Sequence, residues 1–169
     1  EDRRLLTGAG RYSDDVAPGQ GLYVAFLRAS YAHAHLLNID LEAVRQMDGV
    51  HLVATQADLD ADHIGDVLCQ YRPPLLGGGK MQLVSKPAMV RDINRHAGDI
   101  VAMVVADRQE TADFAIELIA AEFEPMPAVT DIYEAIKDGA PQLYDCYPNN
   151  IAFEWGAGKL DETEFAMNA

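Results

Sequence analysis

His33 and His35 are the residues of this chain whose spacing most invites a chemical reading. On a strand, side chains at i and i+2 share a face, so both imidazoles would point at one ligand. A zinc or copper centre needs at least one more ligand beside them. His51, His63 and His96 are scattered, and no His-Glu-x-x-His helix is present. The pair therefore reads as packing at a strand edge, with a ring satisfied by backbone. Gly77-Gly78-Gly79-Lys80 suggests a phosphate loop, but Pro74 and Met81 stand where that motif needs glycine and Ser or Thr. Gly8-x-Gly10 lacks the third glycine of a dinucleotide fingerprint, because position 13 is Ser13. These glycines read as turn residues that supply positive φ.

The remaining tests concern nucleophiles and carboxylates. No Gly-x-Ser-x-Gly elbow occurs, and neither Cys69 nor Cys146 has a recognisable partner in sequence. Asp14 and Asp15 are adjacent, so on an extended chain they face opposite ways. Asp60, Asp62 and Asp66, with His63 among them, read as a solvated acidic loop. Expected site residues are accordingly none: no catalytic, no cofactor-binding and no metal-ligating residue.

Whole-chain numbers narrow the function classes. The 169 residues carry 27 acidic and 13 basic side chains, a formal charge of −14. Nucleic-acid binders need clustered Lys and Arg to displace counterions, which this composition does not offer. No apolar run approaches the 18 residues of a membrane span. Two distant cysteines outside any Cys-x-x-Cys pair read as free thiols of a reducing compartment, and a cytoplasmic location is expected.

The elements that would position these residues follow from periodicity. After the turn Pro18-Gly19-Gln20-Gly21, the run Leu22 to Leu27 reads as a strand buried on both faces. His35 to Ile39 reads as a second strand. Asp40 then caps a helix from Leu41 to Met47, ended by Gly49. Val50 to Ala54 resumes a strand, with Thr55 or Asp58 capping a further helical turn. From Asp60 to Asn94, Tyr71-Arg72-Pro73-Pro74 and the glycine run interrupt any period, so an irregular excursion near 60–94 is expected. Ile100 to Ala106 is a buried strand, followed by a capping-box-like pair, Asp107 and Glu110. Ala112, Ala115, Ile116 and Ile119 form one apolar helical stripe. Glu122-Phe123-Glu124 is an exit strand, and Thr130 to Lys137 a last short helix with Gly139 after it. The sum is an α+β domain over 1–150, a mixed sheet with a few short helices packed on it, and a lead-out segment over 151–169.

Two segments near the start carry a resemblance. Arg4-Leu5-Leu6-Thr7-Gly8-Ala9-Gly10-Arg11-Tyr12-Ser13-Asp14-Asp15-Val16 precedes Arg28-Ala29-Ser30-Tyr31-Ala32-His33-Ala34-His35. The order continues through Ile39-Asp40, Gly49-Val50, Gly98-Asp99-Ile100-Val101-Ala102-Met103-Val104-Val105-Ala106 and Glu122-Phe123-Glu124-Pro125-Met126-Pro127-Ala128-Val129. Together they resemble the α/β hammerhead domain that leads the large, molybdopterin-binding subunit of the xanthine dehydrogenase/aldehyde oxidase family. Asp99 stands for that family's usual Glu, Phe123 for its Tyr, Met126 for its Leu and Lys159 for a common Asp.

The resemblance implies an oxidoreductase that hydroxylates aldehyde or heteroaromatic substrates, using molybdopterin-bound molybdenum, iron–sulfur clusters and FAD. It places the catalytic and pterin-contacting residues downstream of this domain, so none is carried over here and no cofactor is expected on this chain. The implied partners are the remaining large-subunit domains and the iron–sulfur and flavin subunits, with Arg28, His33 and the 60–94 excursion as contact elements. The alternative is a freestanding, non-redox module that binds a partner or small ligand.

Overall fold

The computed structural model describes residues 2–12, 21–75, 78, 81, 84–156 and 158–168. The expected turn at 18–20, the Asp14–Asp15 pair and most of the 77–80 glycine run lie outside them. A short helix α1 (Asp2–Leu6) opens the chain. Strands β1 (Tyr23–Arg28), β2 (Ala34–Asp40) and β3 (Val50–Thr55) follow, with helix α2 (Glu42–Arg45) before β3 and α3 (Gln56–Ala61) after it. After the excursion come β4 (Ile93–Asn94), β5 (Ile100–Ala106), helix α4 (Gln109–Leu118) and β6 (Ala120–Pro125). Helix α5 (Ile132–Ala135), a 3-10 turn (Pro148–Asn150) and α6 (Leu160–Met167) complete the order.

The α+β class and its short helices are as expected, but among the described residues the strands form two antiparallel sheets in place of one mixed sheet. One has the order β1-β5-β3 and the other β4-β2-β6, each with three strands. Every pairing between these strands is antiparallel. Alternation of elements along a chain says which segments are strands and not which strands pair. Here β5 inserts between β1 and β3 from far along the chain, while β2 leaves to pair with β4 and β6.

The core lies between α4 and the inner face of the first sheet. Val104 and Ala102 of β5, Val53 of β3 and Ala115 of α4 form one buried cluster with Leu41, Val44 and Ile119. Ala25, Ala106 and Ala112 form a second. Small residues on α4 let the helix approach the sheet closely, and Ile116 packs beside both clusters as its spacing foretold. A third cluster, Ala29, Val90 and Val101, joins the first sheet to Leu36, Ile39 and Phe123 of the second.

Four local readings are corrected. β1 is an edge strand with Ala25 buried but Tyr23, Val24 and Phe26 exposed; an apolar run alone cannot tell an edge from a centre. Asp107 and Glu110 form no capping box, since α4 has Arg108 at its N-cap without a side-chain cap. Asp107 instead packs on Gly49, where an added Cβ would stand 2.7 Å from its Oδ1. Gly49 also has φ +83° and ends the loop after α2. Leu41 rather than Asp40 is the N-cap residue of α2, although the Asp40 carboxylate still accepts the Glu42 N–H at 3.0 Å. The last expected helix shrinks to Ile132–Ala135, capped by Asp131, whose carboxylate accepts the Tyr133 and Glu134 N–H groups. Gly139 follows it with positive φ.

Candidate functional site

Two of the segments that carry the resemblance, Arg28 to His35 and Gly98 to Ala106, meet where β1 ends and β5 begins. Ala29 donates its N–H to the Asp99 carbonyl and accepts the Gly98 N–H, both at 2.8 Å. Arg28 Nη1 donates to the Gly98 carbonyl at 2.9 Å, and its guanidinium lies 5.7 Å from the centre of the Phe26 ring. Gly98 has φ +93°, a conformation open to glycine. The Asp99 carboxylate organises this turn. It accepts the Arg95 N–H at 2.9 Å and lies 3.1 Å from His96 Nδ1 and 3.4 Å from Lys86 Nζ.

Beside the turn is a shallow cleft lined by Lys86, Met89, Ile93, Arg95, His96 and Tyr144. Arg95 stacks 4.4 Å from the Tyr144 ring centre and donates from Nε to the Leu143 carbonyl at 2.7 Å. This ties the segment after α5 to the turn between β4 and β5. A cation on an aromatic face adds about 0.5–1 kcal/mol at exposed sites. The arrangement holds backbone in place: its cations face Asp99 or carbonyl oxygens, and no nucleophile stands beside a base among these lining residues.

The two histidines part company. His33 sits just before β2, is buried, and its Nδ1 lies 2.8 Å from the Pro127 carbonyl, to which it donates. Its own carbonyl accepts the Met126 N–H at 2.9 Å. The ring is therefore buried and held by backbone through Nδ1, as packing at the start of the strand. His35 lies within β2, half-buried. Next to them Asn94 donates to the Tyr31 carbonyl at 2.6 Å, and Tyr31 packs on Phe123 with ring centres 5.6 Å apart.

The acidic loop is also corrected. Asp60 and Asp66 are clamped by Arg91, which donates from Nε to Asp60 Oδ2 at 2.9 Å and from Nη2 to Asp60 Oδ1 at 2.9 Å and Asp66 Oδ1 at 3.0 Å. Ser85 donates to Asp66 at 2.9 Å. Buried Gln56 joins the same cluster, accepting the Met89 N–H at 2.9 Å and donating to Asp60 at 2.8 Å. The Arg91 hydrogen bonds hold the Asp60 carboxyl down to about 2 from its ordinary 3.8, with Gln56 adding to the effect. Asp66 is lowered by the same guanidinium and by Ser85. Bidentate geometry of this kind is the strong form of a charged hydrogen bond. No local spacing announces it, because Arg91 is 31 residues from Asp60.

Among the described residues no three His, Cys, Asp or Glu side chains gather as a metal would require. Cys69 and Cys146 are free and exposed. No helix among them is long and apolar enough to cross a membrane.

Known proteins share both the sequence pattern and the architecture. Residues 7–127 match the aldehyde oxidase and xanthine dehydrogenase a/b hammerhead domain. The chain belongs to this family. It is 32% identical over 169 residues to the nicotine 6-hydroxylase large subunit of Paenarthrobacter nicotinovorans, covering 100% of this chain and 20% of that one. It is 31% identical over 159 residues to the carbon monoxide dehydrogenase large chain of Afipia carboxidovorans, covering 94% and 18%. Among solved structures, quinoline 2-oxidoreductase from Pseudomonas putida 86 superposes with a TM-score of 0.74 at 36% identity, over 86% of this chain and 18% of that one. The chain thus spans about a fifth of the length of the relatives it matches.

Proposed function

We propose that this chain is the leading domain of a molybdenum hydroxylase large subunit and serves its assembly. The complete enzyme, in this reading, hydroxylates an aldehyde or heteroaromatic substrate, with molybdopterin-bound molybdenum, iron–sulfur clusters and FAD carried by other domains or subunits. Residues 1–150 form the domain, and 151–169 lead out towards the cofactor-bearing part. The observation that carries the reading is the alignment of the whole chain with one fifth of a hydroxylase large subunit. Physical chemistry supports it from the other side. Asp99, Arg95, His33 and Arg91, the polar side chains that would catch the eye in an enzyme, are occupied in bracing loops and strand ends. The contribution of this chain is then shape and packing, and the redox chemistry belongs to the groups it helps to seat.

The test is to purify the protein with its complete reading frame and neighbouring gene products. Molybdenum and iron are expected in the complex, with dye-linked dehydrogenase activity. A protein that contains no polypeptide past Ala169, purifies alone and brings no molybdenum-containing partner would sink the proposal.

A further inference from the structure

The inner face of the β1-β5-β3 sheet is covered by α4, whereas its outer face carries two apolar rows in which Ala54 is buried and the β1 side chains and Leu52 are exposed. Cross-strand register places Val24, Val105 and Leu52 in one row and Phe26, Met103 and Ala54 in the next. Val24, Phe26 and Leu52 are 42%, 40% and 48% exposed. An antiparallel sheet with one solvated face normally alternates apolar and polar residues. This face does not. The chain has 27 Asp and Glu residues, yet none occupies any of these six positions. An exposed apolar patch on a chain of net charge −14, with the Arg28 guanidinium beside Phe26 at its edge, marks a place of contact. The face is also rigid, since its middle strand is hydrogen-bonded on both sides, unlike the exposed Ile132 and Tyr133 on the single turn of α5.

We infer that this outer face is the docking surface on which the later polypeptide of the same large subunit packs, covering Val24, Phe26, Leu52, Met103 and Val105 with apolar side chains. The inference rests on the reading of the chain as a large-subunit domain. Two observations favour a tethered occupant over a second copy. Relatives aligned to the whole chain are about five times as long, so most of their polypeptide lies outside this region. Two copies would each bring a charge of −14 and repel. A covalently joined partner instead works at an effective concentration in the millimolar range.

The experiment uses the full-length protein carrying Val24→Cys or Leu52→Cys, each a small apolar change. Maleimide labelling is read peptide by peptide by mass spectrometry. Both new thiols should label at least about tenfold more slowly than in the unfolded protein, as expected for a site opened only by local unfolding. A photoactivated crosslinker on the Leu52→Cys thiol should join it to a peptide beyond residue 169 of the same chain. Labelling at the unfolded rate overturns the inference, as does a crosslink that ends in a second copy or a separate subunit. A protein with no polypeptide past residue 169 defeats the large-subunit reading itself. A longer protein whose residue 52 is open defeats only the docking surface.

Discussion

The core around β5 and the excursion between α3 and β4 are held by different forces. Around β5 the chain is fixed by backbone ladders on both edges and by side chains with no exposure, among them Val101, Val104, Ala112 and Ala115. Burying one such aliphatic side chain contributes about 1.5–3 kcal/mol for residues of valine size and above. Between residues 62 and 92 the described chain has one internal bridge, Val67 to Lys86, and leans on a cluster of charged and polar side chains around Arg91. Exposed ion pairs contribute little to global stability. One region therefore carries the fold, and the other is anchored to it at a few points.

The largest effect should come from placing a charge in the first region. Ala112→Asp puts a carboxylate where Ala25 and Ala106 meet α4, with no partner for it. A cost of about 4 kcal/mol or more is expected. The measurement is thermal unfolding followed by circular dichroism, and a cooperative transition near the wild-type midpoint would contradict it. Gly49→Ala comes next, because it combines a positive φ with a Cβ driven against Asp107. A loss of about 2 kcal/mol is expected from chemical denaturation. Adding Asp107→Gly should restore part of it by removing the clash while leaving the strained φ, and a double variant no more stable than Gly49→Ala would count against the packing argument.

How much could be read from residues alone follows the same division. Ile100 to Ala106 and the stripe Ala112, Ala115, Ile116, Ile119 were readable because burial imprints a period on local sequence. The Gly98-Asp99 pair was readable as part of the resemblance, and the structure gives the reason: glycine adopts the turn, and the carboxylate collects the donors around it. The clamp of Arg91 on Asp60 and Asp66 was not readable. Its partners come from distant parts of the chain, and an acidic loop with a cation looks the same as one without. The pairing of β1 with β5 also escaped, since strand periodicity is silent on partners, and so did the exposure of one face of β1.

In the second region, Arg91→Ala removes the guanidinium that joins Asp60 to Asp66. Limited proteolysis should then cut within 62–90 faster than in the wild type, while the global unfolding midpoint moves less than for Gly49→Ala. Equal shifts in both variants would erase the distinction between a core and an attached loop.

Acid should reproduce that loosening in the unaltered protein, as the smallest of these effects. The folded-state value of Asp60 is lowered to about 2 from 3.8 by its hydrogen bonds to Arg91 and Gln56. A carboxylate whose folded value is depressed adds stability above its unfolded value and loses it as pH falls through the folded one. The clamp should therefore be intact above pH 3.8 and open as pH falls towards about 2, with Asp66 shifting the same way. Pulse-labelled hydrogen exchange across this range should show backbone amides such as Met89 and Val67 losing protection before Val104 does. Loss of protection at Val104 first, or at the same pH, would mean that the clamp is part of the core and not an anchor laid over it.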